Sequence, residues 1–180
     1  PTFLSIFDDR VKNLGEGFSV SCAMHGHLHL LAWARDSAQH RGLVCPVALP
    51  TVAAAAEAGR RELFFWMKEN LKNFSELVAS DDYGWVARAA AANGDLEFFQ
   101  HIVETGFAVV EADISAATHG HLHILQYLKE RGYMSDPRWS FFAAMRNGHL
   151  EILRWISSFN DGIITLESIE DSRSLSTAAE

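Results

Sequence analysis

A glycine recurs along the chain inside one pattern of small and apolar residues, and this register limits the fold more than any other feature. The glycines are Gly26, Gly59, Gly94, Gly120 and Gly148. Nearly all residues four and three positions before them are cysteine or alanine, with Met145 the exception: Cys22, Ala23, Ala55, Ala56, Ala90, Ala91, Ala116, Ala117 and Ala144. Small residues on one face of a helix allow another backbone to come close, so the pattern predicts packed helices.

The residues after each glycine repeat as well. Apolar side chains predominate two, four, five and eight positions on, which is one broad face of an α-helix. In the fourth copy these positions are Leu122, Ile124, Leu125 and Leu128. Each repeat therefore reads as a short helix, a glycine and a longer helix, with the glycine in the left-handed conformation that ends the first helix at little cost.

One such helix pair cannot bury its apolar face alone, whereas stacked pairs bury a continuous core. The sequence predicts an all-α, helix-turn-helix repeat solenoid of about five repeats with helical caps. We expect a capping helix or half-repeat at 1–16, where Phe3, Phe7, Val11 and Leu14 have helical spacing. The repeat array spans 17–160, and a C-terminal capping helix and polar tail span 161–180.

The segments "AATHGHLHILQYLKERG" (116–132) and "AAMRNGHLEILRWI" (143–156) resemble the ankyrin repeat. Two departures stand out. The TPLH motif that opens the first helix is absent, its place taken by "PTVA", "WVAR", "EADI" and "WSFF", so its turn hydrogen bonds must be made otherwise or lost. The glycine spacings are 33, 35, 26 and 28 residues. The first two suit full ankyrin repeats of about 33 residues, and the last two predict tight loops without the β-hairpin finger.

Composition excludes several function classes. A net charge of −8 and the absence of any basic stripe longer than Gly59-Arg60-Arg61 argue against nucleic acid as a partner. No apolar run is long enough to suggest direct membrane insertion. Cys22 and Cys45 lie in no ligand-spaced cluster. We expect an intracellular protein, cytoplasmic by default, or organellar if a transit peptide has been removed.

The pentapeptide "HGHLH" occurs at 25–29 and again at 119–123, and it raises the possibility of a metal site. The register indicates a different interpretation. His27, His121 and His149 follow the anchor glycine, where Asp95 stands in another copy, and we expect them to cap the second helix. His29 and His123 share a solvent-side position with glutamates, and His25 and His119 end the first helix on its exposed face. Because the glycine breaks the helix, the three imidazoles do not share a face as in HExxH.

Other reactive residues favour structural roles. We expect His101 to be a packed histidine, since it replaces a Trp or Tyr seven positions after its glycine. Cys22 fills an alanine position beside the core, and Cys45 lies in a connector where it could be exposed. The regular tryptophan positions indicate core, and Asp81-Asp82 indicates the start of a turn. No catalytic, cofactor-binding or metal-binding motif is present, so we expect no enzyme, no cofactor, no metal and no small-molecule substrate.

The resemblance implies protein–protein interaction through the concave face formed by the first helices. Trp85 and Trp139 lie nine positions before their glycines, where they are either binding hot spots or cover the gap left by a missing hairpin. The candidate partner-binding residues are Met24, His25, Glu57, Trp85, Thr118, His119, Trp139, Arg146 and Asn147.

Two binding functions remain open: an adaptor or scaffold that recruits a protein partner, and a subunit docked permanently in a large multiprotein complex. A histidine-based metal-binding protein is the less favoured third.

Overall fold

The structure, a computed structural model, describes residues 16–40 and 47–159, and in these ranges the chain is all-helical with no strand. The expected caps at 1–16 and 161–180 therefore lie outside the described residues except for Glu16, and Cys45 also lies outside them. The helices are α1 (Glu16–His25), α2 (Leu28–His40), α3 (Leu49–Glu57), α4 (Arg61–Asn70), α5 (Phe74–Ala79), α6 (Trp85–Asn93), α7 (Leu96–Thr105), α8 (Ala112–His119), α9 (Leu122–Glu130), α10 (Pro137–Asn147) and α11 (Leu150–Ser157).

All five anchor glycines join two helices, as predicted. Their φ angles lie between +64° and +86°, in the left-handed region that glycine adopts without a steric penalty. The helix before each glycine is here called the first helix, and the helix after it the second helix. In the last pair the first helix, α10, is the longer one, against the expected order of short then long.

The helices form two compact units that divide between Val110 and Glu111. In the first unit α1 packs on α3 and α3 packs on α6; in the second unit α8 packs on α10. Each first helix also packs on its own second helix. The small residues before the glycines are buried at these contacts, including Ala23, Ala55, Ala90, Ala116 and Ala144. Their size lets neighbouring first helices approach closely, as the sequence pattern predicts.

The core of the first unit is rich in phenylalanine. The ring of Phe64 lies 5.3 Å from that of Phe98 and 5.9 Å from that of Phe74, both nearly perpendicular to it. Edge-to-face contacts of this kind stabilise a core beyond the burial of apolar area. Phe107, from the connection after α7, closes the cluster against Phe74 at 5.9 Å.

The connection between α4 and α6 contains a helix of its own. The segment forms the short helix α5, which places Phe74 in the core. The two later connections cover only residues 106–111 and 131–136, so the prediction of tight loops there is confirmed.

Buried acidic residues make the turn hydrogen bonds for which TPLH is absent. The two carboxylate oxygens of Asp81 accept the backbone N–H groups of Trp85 and Val86, at 2.8 and 3.2 Å, at the start of α6. In the second unit, one oxygen of Asp113 accepts three bonds: from the Ser135 N–H at 3.2 Å, the Ser135 hydroxyl at 2.7 Å and the Ser140 hydroxyl at 2.9 Å. Asp81 thus begins a turn, as predicted, and Asp113 ties the α9–α10 connection to α8.

A hydrogen bond recurs between successive helix pairs at one backbone position. The carbonyl oxygen two residues before an anchor glycine accepts a side-chain donor from the next pair. The three bonds are Arg60 Nε to Met24 O at 3.2 Å, Asn93 Nδ2 to Glu57 O at 3.1 Å, and His149 Nε2 to Thr118 O at 2.9 Å. Each donor side chain also lies directly over the glycine it passes. The three bonds therefore join neighbouring pairs in the same relative register.

A second set of contacts joins successive second helices. In each case a basic residue nine positions after one anchor glycine contacts the next helix pair. The residues contacted lie seven or eleven positions after the anchor glycine of that next pair. Arg35 bonds Asn70 at 2.8 Å and lies over Trp66, Lys68 bonds Thr105 at 3.2 Å, and Lys129 lies over Trp155 and Phe159. The two sets of contacts hold the first-helix side and the second-helix side of each unit together.

Candidate interaction surface

In each unit the outward side chains of the first helices lie where the sequence predicts binding, and these side chains are here called the first-helix surface of that unit. In the first unit it contains Met24, His25, Glu57 and Trp85, and all four are exposed. In the second unit it contains Thr118, His119, Trp139, Arg146 and Asn147, all exposed except Thr118, which is half-buried. The structure therefore places these predicted residues on outward positions of α1, α3, α6, α8 and α10.

The two tryptophans of this surface project into solvent. Trp85 is 59% exposed and Trp139 is 61% exposed, although indole is usually among the more buried side chains of a folded protein. The alternative in which each ring packs over a gap left by a missing hairpin is therefore not what the structure has.

The backbone beneath this surface is held by the hydrogen bonds between helix pairs. Met24, Glu57 and Thr118 contribute outward side chains, while their carbonyl oxygens accept Arg60, Asn93 and His149. A side chain presented from a fixed backbone loses less conformational entropy on binding than one on a mobile loop. The backbone carbonyls of these residues thus stabilise the contact between helix pairs, while their side chains are available to contact a partner.

The histidines take different roles along the chain. His25 and His119 are exposed at the ends of α1 and α8, and the Nδ1 of each lies 2.9 Å from a carbonyl oxygen of its own helix, Ser21 O and Ser115 O. His29 and His123 are exposed, as predicted. The rings of His25 and His27 stack at 5.9 Å, and those of His119 and His121 at 6.3 Å.

The prediction that histidine caps the second helix is wrong for His121 and His149, whose side chains accept no capping bond. Asp95 does cap, accepting the Phe98 N–H at 3.2 Å. The physical reason for the difference at His149 is its bond to Thr118 O: a carbonyl only accepts, so Nε2 carries the proton and donates across the repeat.

Two aromatic positions are less buried than their sequence register predicts. His101 is exposed, although its ring meets the edge of Phe65 at 5.6 Å. Trp33 is 43% exposed rather than core, whereas Trp66 and Trp155 are half-buried and Tyr127 is buried. Cys22 is buried beside the core as predicted, and burial raises the pKa of its thiol, which disfavours the reactive thiolate.

An ionic cluster lies at the start of two second helices. The guanidinium of Arg61 bonds both carboxylate oxygens of Asp95 and reaches Glu97 at 2.9 Å. Burial alone would raise the pKa of the Asp95 carboxyl, but hydrogen bonds from Arg61 and the Phe98 N–H outweigh it and hold that pKa below its ordinary value. The cluster joins α4 to the N-terminus of α7 and is not part of the first-helix surface.

Sequence reasoning missed Tyr83, which is 71% exposed, and Val110, which is 41% exposed. Neither fits the repeat register, since Tyr83 belongs to the turn before α6 and Val110 to the connection after α7. The signal available for Tyr83 was its position two residues before Trp85 in "DDYGW". Asp113 was missed because its serine partners lie 22 and 27 residues away in sequence.

No protein-family model, curated protein or solved structure matches the chain. Within the described ranges, no group of three or more His, Cys, Asp or Glu side chains is arranged to hold a metal ion. Among the helices of residues 16–40 and 47–159, none is both long and apolar enough to cross a membrane.

Proposed function

We propose that the chain is an ankyrin-like helical repeat array that binds a protein partner through its first-helix surface and performs no catalysis. The observation that carries this proposal is the exposure of Trp85 and Trp139, together with that of Met24 and Glu57, whose carbonyl oxygens are held by hydrogen bonds between helix pairs. Large aromatic side chains on a rigid mount are typical of binding hot spots.

The ankyrin-like part of the proposal is supported by the recurring geometry. The glycines adopt left-handed conformations, first helices pack on successive first helices within each unit, and the cross-pair hydrogen bond returns at Met24, Glu57 and Thr118. In ankyrin arrays the first helices form the concave binding face, and the proposal assigns the first-helix surface to that role.

The non-catalytic part is supported by the roles of three acidic groups, of which Asp81 and Asp113 are buried and Asp95 is half-buried. Asp81 and Asp95 cap helix N-termini, and Asp113 holds Ser135 and Ser140. These carboxylates accept hydrogen bonds that position the backbone and side chains around them.

A permanently docked subunit is the alternative, and a separate observation favours it. Leu150 is 63% exposed and Trp33 is 43% exposed, and both lie on second helices, which do not contribute to the first-helix surface. A subunit enclosed in a complex would cover apolar residues on more than one face.

Affinity capture with matched variants tests the proposal. The tagged chain is expressed in the cells that normally contain it, as wild type, Glu57→Arg, Trp85→Ala and Glu69→Arg, and captured proteins are quantified by mass spectrometry. Glu57 is on the first-helix surface, and Glu69 is an exposed glutamate on the second helix α4. The proposal expects the first two variants to lose a partner that Glu69→Arg retains. Equal capture by all four, with folding confirmed by circular dichroism, would contradict it.

The same experiment separates the two binding functions. A recruited partner should be removed by a wash of moderate salt and should exchange with added free protein. A permanent subunit should remain at fixed stoichiometry through both treatments.

A further inference from the structure

Two exposed aromatic side chains lie at the start of α6: Trp85 belongs to the first-helix surface, and Tyr83 lies in the turn just before it. Tyr83 and Trp85 are 71% and 59% exposed and are separated only by Gly84. Two residues in sequence place their Cα atoms no more than about 7 Å apart. The two side chains therefore leave the backbone close enough together for both to reach one side chain of a partner.

The backbone that carries the two rings is tightly held. Gly84 has a φ of +64°, and a Cβ on it would lie 2.7 Å from Val110 N and 2.8 Å from Ala108 O, so the connection after α7 packs directly against it. The buried carboxylate of Asp81 accepts the Trp85 N–H at 2.8 Å. The rings are thus exposed on a rigid turn, not on a flexible loop.

Elsewhere in the described chain, several aromatic rings have a lysine or arginine side chain lying over them. Arg35 lies 4.9 Å from the Trp66 ring centre, Lys129 lies 3.0 Å from that of Phe159, and Arg131 lies 5.1 Å from that of Tyr127. No described cation lies over Tyr83 or Trp85. Their faces are open to a cation from another molecule.

The charge nearby favours the same ligand chemistry. Asp82 is exposed beside Tyr83 and forms no ion pair with a described residue. A carboxylate next to aromatic faces suits a guanidinium or ammonium group, which can contact a ring and bond an oxygen together. The chain's net charge of −8 attracts cationic partners over longer distances. Arg88, one turn after Trp85, is the opposing charge, and its own interaction engages it within the chain.

We propose that Tyr83, Trp85 and Asp82 bind an arginine or lysine side chain of a basic segment in the protein partner. This inference rests on the proposed function, because it names the partner chemistry of part of the first-helix surface. Trp139 supplies an internal comparison: it is equally exposed and occupies the same register position, but Pro137 stands two residues before it where Tyr83 stands before Trp85.

The test measures peptide binding to the full-length chain by NMR of the tryptophan indole N–H signals, with the Trp85 signal identified by its loss in Trp85→Leu. The probes are acetylated and amidated Gly-Ser-Arg-Ser-Gly, its norleucine analogue and its glutamate analogue. The proposal expects the arginine peptide to shift the Trp85 signal and the other two to leave it in place. Tyr83→Leu and Asp82→Asn should each weaken that binding roughly three- to thirtyfold, while Trp139→Leu should not change it.

Three results would overturn the inference: no shift with the arginine peptide, an equal shift with norleucine, or an equal loss in Trp139→Leu. The first two can occur while Trp85→Ala still lowers partner capture. In that case the proposed function stands, and only the assignment of a cationic ligand falls.

Discussion

Replacement of Gly120 by alanine tests the contact between successive helix pairs in the second unit. Gly120 has a φ of +84°, and a Cβ there would lie 2.8 Å from Cε1 and 2.9 Å from Nδ1 of His149. Gly148 is the matched control, because it has a similar φ of +76° at the same register position and nothing within 4 Å of its Cβ position. The two variants share the backbone cost, and only Gly120→Ala places a Cβ against the His149 ring from another helix pair.

The expected magnitudes follow from these two terms. Alanine in the left-handed region costs about 1–2 kcal/mol, partly offset by its smaller loss of unfolded-state entropy. We therefore expect Gly148→Ala to lower the free energy of unfolding by about 1 kcal/mol. Gly120→Ala also displaces His149 and breaks its bond to Thr118 O, which adds about 1–2 kcal/mol.

Urea unfolding followed by circular dichroism at 222 nm measures these differences, and a double-mutant cycle isolates the contact. In the His149→Ala background no ring opposes the new Cβ, so Gly120→Ala should cost about the same as Gly148→Ala, roughly 1 kcal/mol. Equal costs for the two glycines in the wild-type background, with no coupling to His149, would refute the reasoning.

Three further changes have directions fixed by the structure. Asp95→Asn keeps a good N-cap but loses the ion pair with Arg61. Because the pKa of Asp95 is lowered in the folded chain, the stability that this carboxylate gives is present above about pH 4 and is lost as the pH falls through the folded pKa. The free energies of unfolding of variant and wild type, measured by urea titration, should therefore differ at pH 7 and converge in acid. Asp113→Ala leaves the Ser135 and Ser140 donors without their acceptor and should cost about 3 kcal/mol in the same assay, and a cost under about 1 kcal/mol would show that these bonds contribute little. Lys129→Met keeps the apolar stem and removes the cation over Phe159, so it should cost about 0.5–1 kcal/mol that added salt does not restore.

The sequence predicts the helix pairs well because their signals are local. A single helix pair needs a residue that adopts a positive φ at its turn, a small residue four positions earlier and an apolar face in its second helix. Gly120, Ala116 and Ile124 meet these three needs within one pair. Helical spacing alone also predicts that His25, His119, His29 and His123 are exposed.

The contacts between helix pairs could not be predicted in the same way. The donors to the recurring carbonyl are an arginine, an asparagine and a histidine, and Asn93 stands before its glycine while Arg60 and His149 stand after theirs. Different residues at different register positions bond the same backbone carbonyl position, so aligning the helix pairs by sequence does not reveal these hydrogen bonds. The helix α5 was missed for another reason: six residues are too few for helical periodicity to be distinguished from a loop.

Site-specific photo-crosslinking tests the central claim most directly, namely that a protein partner contacts the first-helix surface. A photoreactive phenylalanine analogue is placed at Glu57 or His119 on first helices, and at Glu69 or Arg154 on second helices, all of them exposed. After irradiation in the native cells, the account predicts that positions 57 and 119 form crosslinks to a protein partner and that positions 69 and 154 do not. Crosslinks confined to positions 69 and 154 would contradict it.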